Sequence, residues 1–194
     1  MSRVPAKHKL RLVLVGLVGG IVLAVPLSAV AADGSRSDDV REMEQRIAAL
    51  EDLLVGVSRQ DGTVTFDGVN LQITNGTGST DSTNGLGNVI VGYSADLAGT
   101  DDRSGSHNLI VGDENAWSSH GGLIVGEHNS VDGAYGVIAG GFRNTVSGNH
   151  GAVLAGFFNE AAGSYASVSG GTYNLASGSG SAVSGGHRGT ADSY

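Results

Sequence analysis

The sequence predicts an all-β fold, a parallel β-solenoid built from coils of about 15 residues and preceded by a short coiled-coil helix. The first observation is a regular glycine period, which comprises Gly112, Gly126, Gly141, Gly156, Gly171 and Gly186. The second is an asparagine three positions after each of the first five, namely Asn115, Asn129, Asn144, Asn159 and Asn174. An aliphatic residue precedes each glycine by three positions and a small or apolar residue follows by five. Such periodicity is typical of a stacked repeat protein.

A unit of this size contributes about one inward side chain per strand and cannot bury a face alone. Successive units must therefore stack, with strands about 4.8 Å apart. The aliphatic positions run from Leu109 to Val183 and the small positions end in alanine, which predicts a thin, solid interior. Glycine also stands two residues after an apolar strand position, at Gly133, Gly148, Gly163 and Gly178, where it is expected to take positive φ and turn a corner of the coil. The asparagine amides should hydrogen-bond along the stack as a ladder.

Residues 1–31 have the anatomy of a signal peptide. A basic start is followed by an apolar run over 12–25, by Pro26, and by small residues in which Ala29 and Ala31 fit a cleavage site. The chain is therefore expected to be secreted or presented at the cell surface. The alternative is an uncleaved anchor, the one case in which membrane association is expected.

Composition excludes several classes of function. The chain has no cysteine, so disulfides and thiolate chemistry are absent. Four of the 11 basic residues lie before position 32, which leaves seven arginines against 19 acids, a formal charge of −12. Such a surface repels phosphate backbones, and no nucleic-acid partner is expected.

Residues 37–58 predict an amphipathic coiled-coil helix with Ser37 as N-cap. Its apolar residues alternate by three and four, as a heptad seam does: Val40, Met43, Ile47, Leu50, Leu54 and Val57. Within it, residues 46–51 resemble a short coiled-coil trimerisation motif, R-h-x-x-h-E, in which Arg46 would bind a neighbour's Glu51. This predicts a homotrimer. Ile47 and Leu50 suit a dimer equally well, and a helix folded against its own chain is the third interpretation.

Residues 62–87 are predicted to form a β-hairpin cap, with Asp67-Gly68 as its turn, followed by a polar linker. The solenoid repeats then occupy residues 88–194. Residues 88–92 match 108–112, but Gly92 and Gly112 stand farther apart than the later periodic glycines do. The surplus, near residues 98–106, is expected to protrude as a loop.

Units such as residues 166–178, ASVSGGTYNLASG, resemble the head repeats of trimeric autotransporter adhesins, the YadA-like left-handed parallel β-roll. The resemblance covers about residues 86–194 and implies a trimer of β-rolls that attaches to extracellular matrix protein or to other cells. The order differs, because in those adhesins the head usually precedes the coiled-coil stalk and here the helix precedes the repeats.

No catalytic, cofactor-binding or metal-binding residue is predicted. The six histidines include no H-x-x-x-H pair, and the acids at Asp113, Glu114 and Glu127 match no calcium-loop motif, so surface charge is the preferred interpretation. Tyr135, His150 and Tyr165 occupy equivalent repeat positions and should line one edge, either as a packing interface between chains or as a ligand surface.

The sequence therefore predicts a non-enzymatic, adhesin-like or structural head. The alternatives are a glycan-binding or depolymerising fibre tip and a purely architectural spacer.

Overall fold

The computed structural model describes residues 13–18, 21–26, 34–95 and 101–192, with side chains from residue 36 onward. The chain divides into two compact units, residues 1–71 and 72–194. The predicted cleavage stretch after Pro26 lies outside the described residues. No helix in the described part of the chain combines the length and the hydropathy that a membrane span needs.

The first unit begins with two antiparallel strands, β1 (Val13–Val18) and β2 (Ile21–Pro26). Helix α1 follows (Gly34–Leu53), and strands β3 (Val57–Gln60) and β4 (Thr63–Phe66) form an antiparallel hairpin.

Two predicted boundaries in this unit are wrong. The sequence predicts a helix over 37–58, but the helix begins at Gly34, so Ser37 lies inside its first turn. It ends at Leu53, so Val57 opens β3. Gly56 has a φ of 83°, which takes the chain out of the helix.

The hairpin turns at Asp61-Gly62, where both residues have positive φ (49° and 81°), and Asp67-Gly68 is not its turn. Residues 57–71 contain two Asp-Gly pairs, and the first connects two short β-prone segments directly through a tight turn that matches strand twist.

The second unit is a parallel β-solenoid, which confirms the predicted fold class. Every strand pairs in parallel with its equivalent in the next coil, in two sheets of seven and six strands. The first sheet contains β5 (Val89–Val91), β6 (Leu109–Asp113), β8 (Leu123–Glu127), β10 (Val137–Ile138), β12 (Ala152–Val153), β14 (Ser167–Val168) and β16 (Ala182–Val183). The second contains β7 (Ala116–Trp117), β9 (Ser130–Val131), β11 (Thr145–Val146), β13 (Glu160–Ala161), β15 (Leu175–Ala176) and β17 (Thr190–Ala191).

Each coil consists of two similar halves. A half begins with a residue of positive φ, continues with a small residue or asparagine and an outward residue, and then buries an apolar side chain. Residues 135–138 and 143–146 show the pattern, with φ of 58° at Tyr135 and 55° at Arg143. These left-handed residues stack into two columns at the two edges of the rod. The first-edge column has side chains at His107, Tyr135, His150 and Tyr165, and the second-edge column at Glu114, His128, Arg143, Phe158, Tyr173 and Arg188.

Each half-coil turns one apolar side chain of its strand into the interior. The first sheet contributes Ile110, Ile124, Ile138, Val153, Val168 and Val183, all at most 9% exposed. The second contributes Trp117, Val131, Val146, Ala161 and Ala176, with Ala191 partly buried. The interior therefore narrows along the chain, as the sequence predicted.

The predicted inward positions are off by one residue in the first two coils. Ile110 and Ile124 are buried, whereas Leu109 is 41% exposed and Leu123 is only half-buried. The reason is one extra residue between Ile138 and Gly141. Ile124 pairs with Ile138, and Gly126 faces Gly141. This coil therefore has one residue more when it is measured from glycine to glycine than when it is measured from strand to strand. Counting three residues back from the glycine therefore identifies the wrong inward residue in the two coils that precede Ile138.

The periodic glycines allow the coils to approach closely at the second edge. All six have φ between 87° and 119°. In the first five, a Cβ atom would overlap the carbonyl oxygen of the next glycine, whereas no described atom lies within 4 Å of that position at Gly186. A second column, comprising Gly133, Gly148 and Gly163, approaches its neighbours as closely without positive φ. The expectation of positive φ in this column is therefore wrong, and glycine is required there by space alone.

The five asparagines form a continuous buried ladder, each at most 1% exposed. The Oδ1 of Asn144 accepts the backbone N–H of Asn159 (3.0 Å), and its Nδ2 donates to the carbonyl of Gly156 (3.0 Å). The same pair of bonds recurs along the column and ends where the Oδ1 of Asn174 accepts the N–H of Gly189 (2.8 Å). Each amide thus satisfies a donor and an acceptor of the following coil, which a buried turn requires.

The predicted linker packs on the solenoid unit. The Ser106 hydroxyl accepts a hydrogen bond from the backbone N–H of Asn84 and donates one to Asn84 Oδ1. The backbone N–H of Asn75 donates to His107 Nε2 (3.1 Å). Residues 101–106 are also not a protruding loop, because the carbonyl of Asp102 accepts the N–H of Trp117 (2.7 Å) and Ser106 is buried. Residues 96–100 lie outside the described part.

Candidate functional site

The apolar seam of the helix is exposed in the single chain. Of the predicted trimerisation residues, Val40, Met43, Ile47 and Leu50 lie on α1 and Leu54 just beyond it, all between 44% and 57% exposed. Val57 belongs to β3 and does not extend the seam.

The charged flanks of the seam are exposed as well. Arg46 and Glu51 both face solvent. Arg41 and Asp38 form an ion pair along the helix at 3.9 Å, whereas Arg46 makes no ion pair within the described residues. Its guanidinium is therefore available to a carboxylate of another chain.

The stripe Tyr135, His150 and Tyr165 forms one stack of rings at the first edge. Tyr135 and His150 lie 5.1 Å apart with planes 10° apart, and His150 and Tyr165 lie 5.0 Å apart with planes 4° apart. His120 packs edge-on against Tyr135 at 5.1 Å. The rungs of the solenoid impose this spacing. Both faces of His150 are therefore covered, whereas Tyr165 at the end of the stack is 66% exposed.

The second edge carries a larger aromatic cluster. Phe142 stacks on Phe157 (5.6 Å, 5°) and Phe158 stacks on Tyr173 (5.2 Å, 7°), while Phe157 and Phe158 meet edge-to-face at 4.6 Å. The Arg143 guanidinium lies over Phe142 (5.1 Å) and Phe158 (5.4 Å), an arrangement that favours cation–π attraction. Tyr173 is 46% and Phe158 37% exposed.

The same edge brings together Glu114, Glu127 and His128, which the sequence left as separate surface charges. One potential ligand atom from each lies within 4.8 Å of the other two. His128 Nε2 contacts Glu114 Oε2, and Nδ1 lies 3.6 Å from Glu127 Oε1. The Nδ1 atom is buried and has no hydrogen-bond partner among the described residues.

The signal that sequence reasoning missed is the coil period itself. Glu114 and His128 stand at the same phase of the repeat, one coil apart, so they stack in adjacent rungs. Helical H-x-x-x-H spacing is not relevant to a solenoid.

Trp117 is a core residue at 3% exposure, with the Arg103 guanidinium 5.2 Å from its ring centroid.

Hydrogen bonds lower the pKa of two carboxyl groups at this end of the solenoid unit. The hydroxyl and backbone N–H of Ser104 lower the pKa of Asp102, and the Ser79 hydroxyl, with a backbone hydrogen bond, lowers the pKa of Asp81. Both groups are exposed to solvent, so these are local effects.

These features define a parallel β-solenoid repeat protein joined to a helix with an exposed apolar seam. No protein-family model matches the chain, and neither the curated proteins nor the solved structures contain a match to it.

Proposed function

We propose that this chain is an exported, homotrimeric head that presents its β-solenoid for attachment to a cell surface or matrix, without a catalytic step. The observation that carries the proposal is the apolar seam of α1, about half exposed in one chain and spaced for a coiled coil. Fully burying a large aliphatic side chain contributes about 1.5–3 kcal/mol, so completing the burial of each seam residue contributes roughly half of that. Association is the natural way to gain it, because most of the stability of a helix in a protein comes from packing of its amphipathic face.

The polar flanks of the seam favour three chains. Arg46 and Glu51 stand beside Ile47 and Leu50, and an inter-chain Arg–carboxylate pair could close over this apolar layer. A trimer presents three solenoids together, so weak single contacts would combine into stable attachment.

The surface of the solenoid supports attachment over depolymerisation. Apolar side chains and the asparagine ladder fill the interior, so a ligand can be bound only by the outward side chains of the solenoid. Carbohydrate recognition by stacking needs a free aromatic face, and both faces of His150 in the stripe at the first edge are covered by tyrosine rings. Aromatic side chains are exposed on both edges, Tyr135 (43%) and Tyr165 (66%) on the first and Phe158 (37%) and Tyr173 (46%) on the second, and such surfaces suit a protein partner.

Mass determination tests the trimer. Light scattering on the full chain should give three times the 19.5 kDa chain mass. Ile47→Glu places a charge in the seam and should give single chains, whereas Gln45→Glu adds the same charge away from the seam and should leave the mass unchanged. A wild-type mass of one chain would refute the proposal, and a mass of two chains would replace the trimer by the dimer that Ile47 and Leu50 also suit.

Binding to an array of glycans and matrix proteins tests attachment. The trimer should bind an immobilised matrix protein more tightly than the Ile47→Glu chain does, because avidity is lost with the seam. Selective glycan binding would support the fibre-tip alternative. Absence of binding to either, by a protein of confirmed trimeric mass, would leave the architectural spacer.

A further inference from the structure

The second edge of the solenoid contains a group of three side chains with the composition of a metal site. We propose that Glu114, Glu127 and His128 bind a divalent transition-metal ion such as Zn²⁺, with His128 Nδ1 and the Glu127 carboxylate as ligands and Glu114 holding the imidazole. The proposal is independent of the trimer and of the attachment function.

The backbone fixes the positions of these side chains. Glu114 and His128 are successive members of the second-edge column, with φ of 50° and 56°. Glu127 precedes His128 and pairs with Asp113 in register between β6 and β8. The His128 ring also packs on Phe142, with centroids 4.9 Å apart, so the imidazole has a packed face as well as a charged edge. The stacked coils thus hold the three groups together.

The two ring nitrogens have different surroundings. Nε2 contacts Glu114 Oε2, which can accept a hydrogen bond from an Nε2–H group, and a proton on Nε2 leaves a lone pair on Nδ1. Nδ1 is buried, without a hydrogen-bond partner among the described residues, and faces Glu127 Oε1 at 3.6 Å. A carboxylate that accepts from one imidazole nitrogen while the other binds an ion is the usual support of a histidine ligand.

The separation suits an ion between the two ligands. Zinc lies about 2.1 Å from nitrogen or carboxylate oxygen, which puts tetrahedral ligands roughly 3.4 Å apart. The observed 3.6 Å therefore requires little movement. The other ligand positions would be taken by water or by the second Glu127 oxygen.

Charge and ligand type select the ion. The two carboxylates carry a formal charge of −2, and the ion pairs that they make within the described residues are with His128. The nearest arginine of the column, Arg143, lies instead over Phe142 and Phe158. An imidazole nitrogen with carboxylate oxygen suits zinc and its neighbours, whereas calcium and magnesium prefer oxygen alone.

Calorimetric titration of the untagged full chain with Zn²⁺ tests the site, with Ca²⁺ and Mg²⁺ as comparison ions. We expect saturable binding of one Zn²⁺ per chain and none of the other two at the same concentration. His128→Ala should abolish binding, and Glu127→Gln should weaken it at least tenfold because a ligand charge is lost. Glu114→Gln should weaken it less than Glu127→Gln, because the amide oxygen still accepts from Nε2.

Glu160→Gln is the matched control, since it removes one carboxylate from an exposed position of the same solenoid and should leave Zn²⁺ binding unchanged. Circular dichroism melts of each variant without metal establish that the fold is retained. For folded variants, Co²⁺ substitution supplies a second measurement, an absorption band that disappears in His128→Ala. The proposal is overturned if the chain shows no saturable Zn²⁺ binding, if His128→Ala or Glu127→Gln binds as the wild type does, or if Ca²⁺ binds in preference.

Discussion

Replacing one glycine of the periodic column by alanine should be far more damaging in the middle of the solenoid than in its last coil. Gly156 and Gly186 occupy equivalent positions, with φ of 108° and 101°. At Gly156 an ideal Cβ would lie 3.0 Å from the backbone nitrogen of Gly171 and closer still to its carbonyl oxygen. At Gly186 it would meet no described atom within 4 Å. The pair therefore separates backbone strain from coil contact.

Both substitutions carry the cost of a positive φ in a residue with a Cβ, about 1–3 kcal/mol. Gly156→Ala must in addition move the next coil by roughly 1 Å. That shift stretches the bonds that the Gly171 carbonyl accepts from Phe157 N (3.0 Å) and Asn159 Nδ2 (2.9 Å) beyond hydrogen-bonding range. Each buried group left unpaired costs about 1–3 kcal/mol, so the added penalty is about 4 kcal/mol.

Thermal unfolding followed by far-ultraviolet circular dichroism, at one protein concentration, measures the difference. At about 2–4 °C per kcal/mol for a chain of this size, Gly156→Ala should melt roughly 10 °C below Gly186→Ala. Equal losses in both variants would show that φ strain alone determines the penalty. A Gly156→Ala chain as stable as the wild type would refute the close approach of the coils.

The asparagine ladder predicts a second contrast, in which Asn159→Ala should lower the free energy of unfolding by about 3 kcal/mol in urea, because it leaves the buried N–H of Asn174 unpaired. Asn149→Ala, at an exposed position with one bond to Ala134 N (2.9 Å), should cost less than about 1 kcal/mol, and equal costs would contradict the ladder. A third prediction concerns acid. The pKa of Asp102 is lower in the folded chain than its ordinary value of about 3.9, so its contribution to stability is present above that value and is lost as the pH falls through the folded pKa. An NMR titration should show the depressed pKa, and Asp102→Asn should flatten the acid dependence slightly; an ordinary pKa would contradict this.

The repeat was predictable because the same backbone geometry recurs in each coil and requires the same residue types at the same positions. A glycine that must take positive φ beneath another backbone cannot be exchanged for a larger residue at Gly156, and an asparagine that bonds the next coil must recur at the same phase. These constraints appear directly as letters in the sequence. The interior was less readable, because hydrophobicity alone does not distinguish Leu109 from Ile110 and the extra residue before Gly141 shifts the count.

Local signals were ambiguous in the first unit. Two Asp-Gly pairs each stand between β-prone residues, and the turn at Asp61-Gly62 prevails because its flanking segments pair along their whole length with no interruption. The end of the helix follows from the same competition. Val57 fits a heptad seam by spacing, but it pairs with Phe66 across the hairpin, so strand pairing overrides helical periodicity.

The metal-site proposal illustrates why surface chemistry is hard to read from this kind of sequence. In a helix, functional neighbours are three or four positions apart, and in a hairpin they alternate. In this solenoid they are a whole coil apart, and the coil lengthens by one residue at Gly141, so a site is a column crossing several coils. Glu114 and His128 are separated by one coil of the shorter length, and Tyr135, His150 and Tyr165 by coils of the longer length.

The same column arrangement bears on how such a rod can acquire a ligand. The inward, glycine and asparagine positions are fixed by stacking, and each outward position is free to change without disturbing the backbone of its coil. Neighbouring coils still place outward side chains about 5 Å apart, so an exchange at one position alters a contact with the coils above and below. At the first edge this produced a stack in which both faces of His150 are covered, and at the second edge it joined carboxylates, an imidazole and phenyl rings. Binding therefore depends on which residues follow one another along an edge. The second edge has the most varied side chains of the two edges in the described solenoid, with the column Glu114, His128, Arg143, Phe158 and Tyr173.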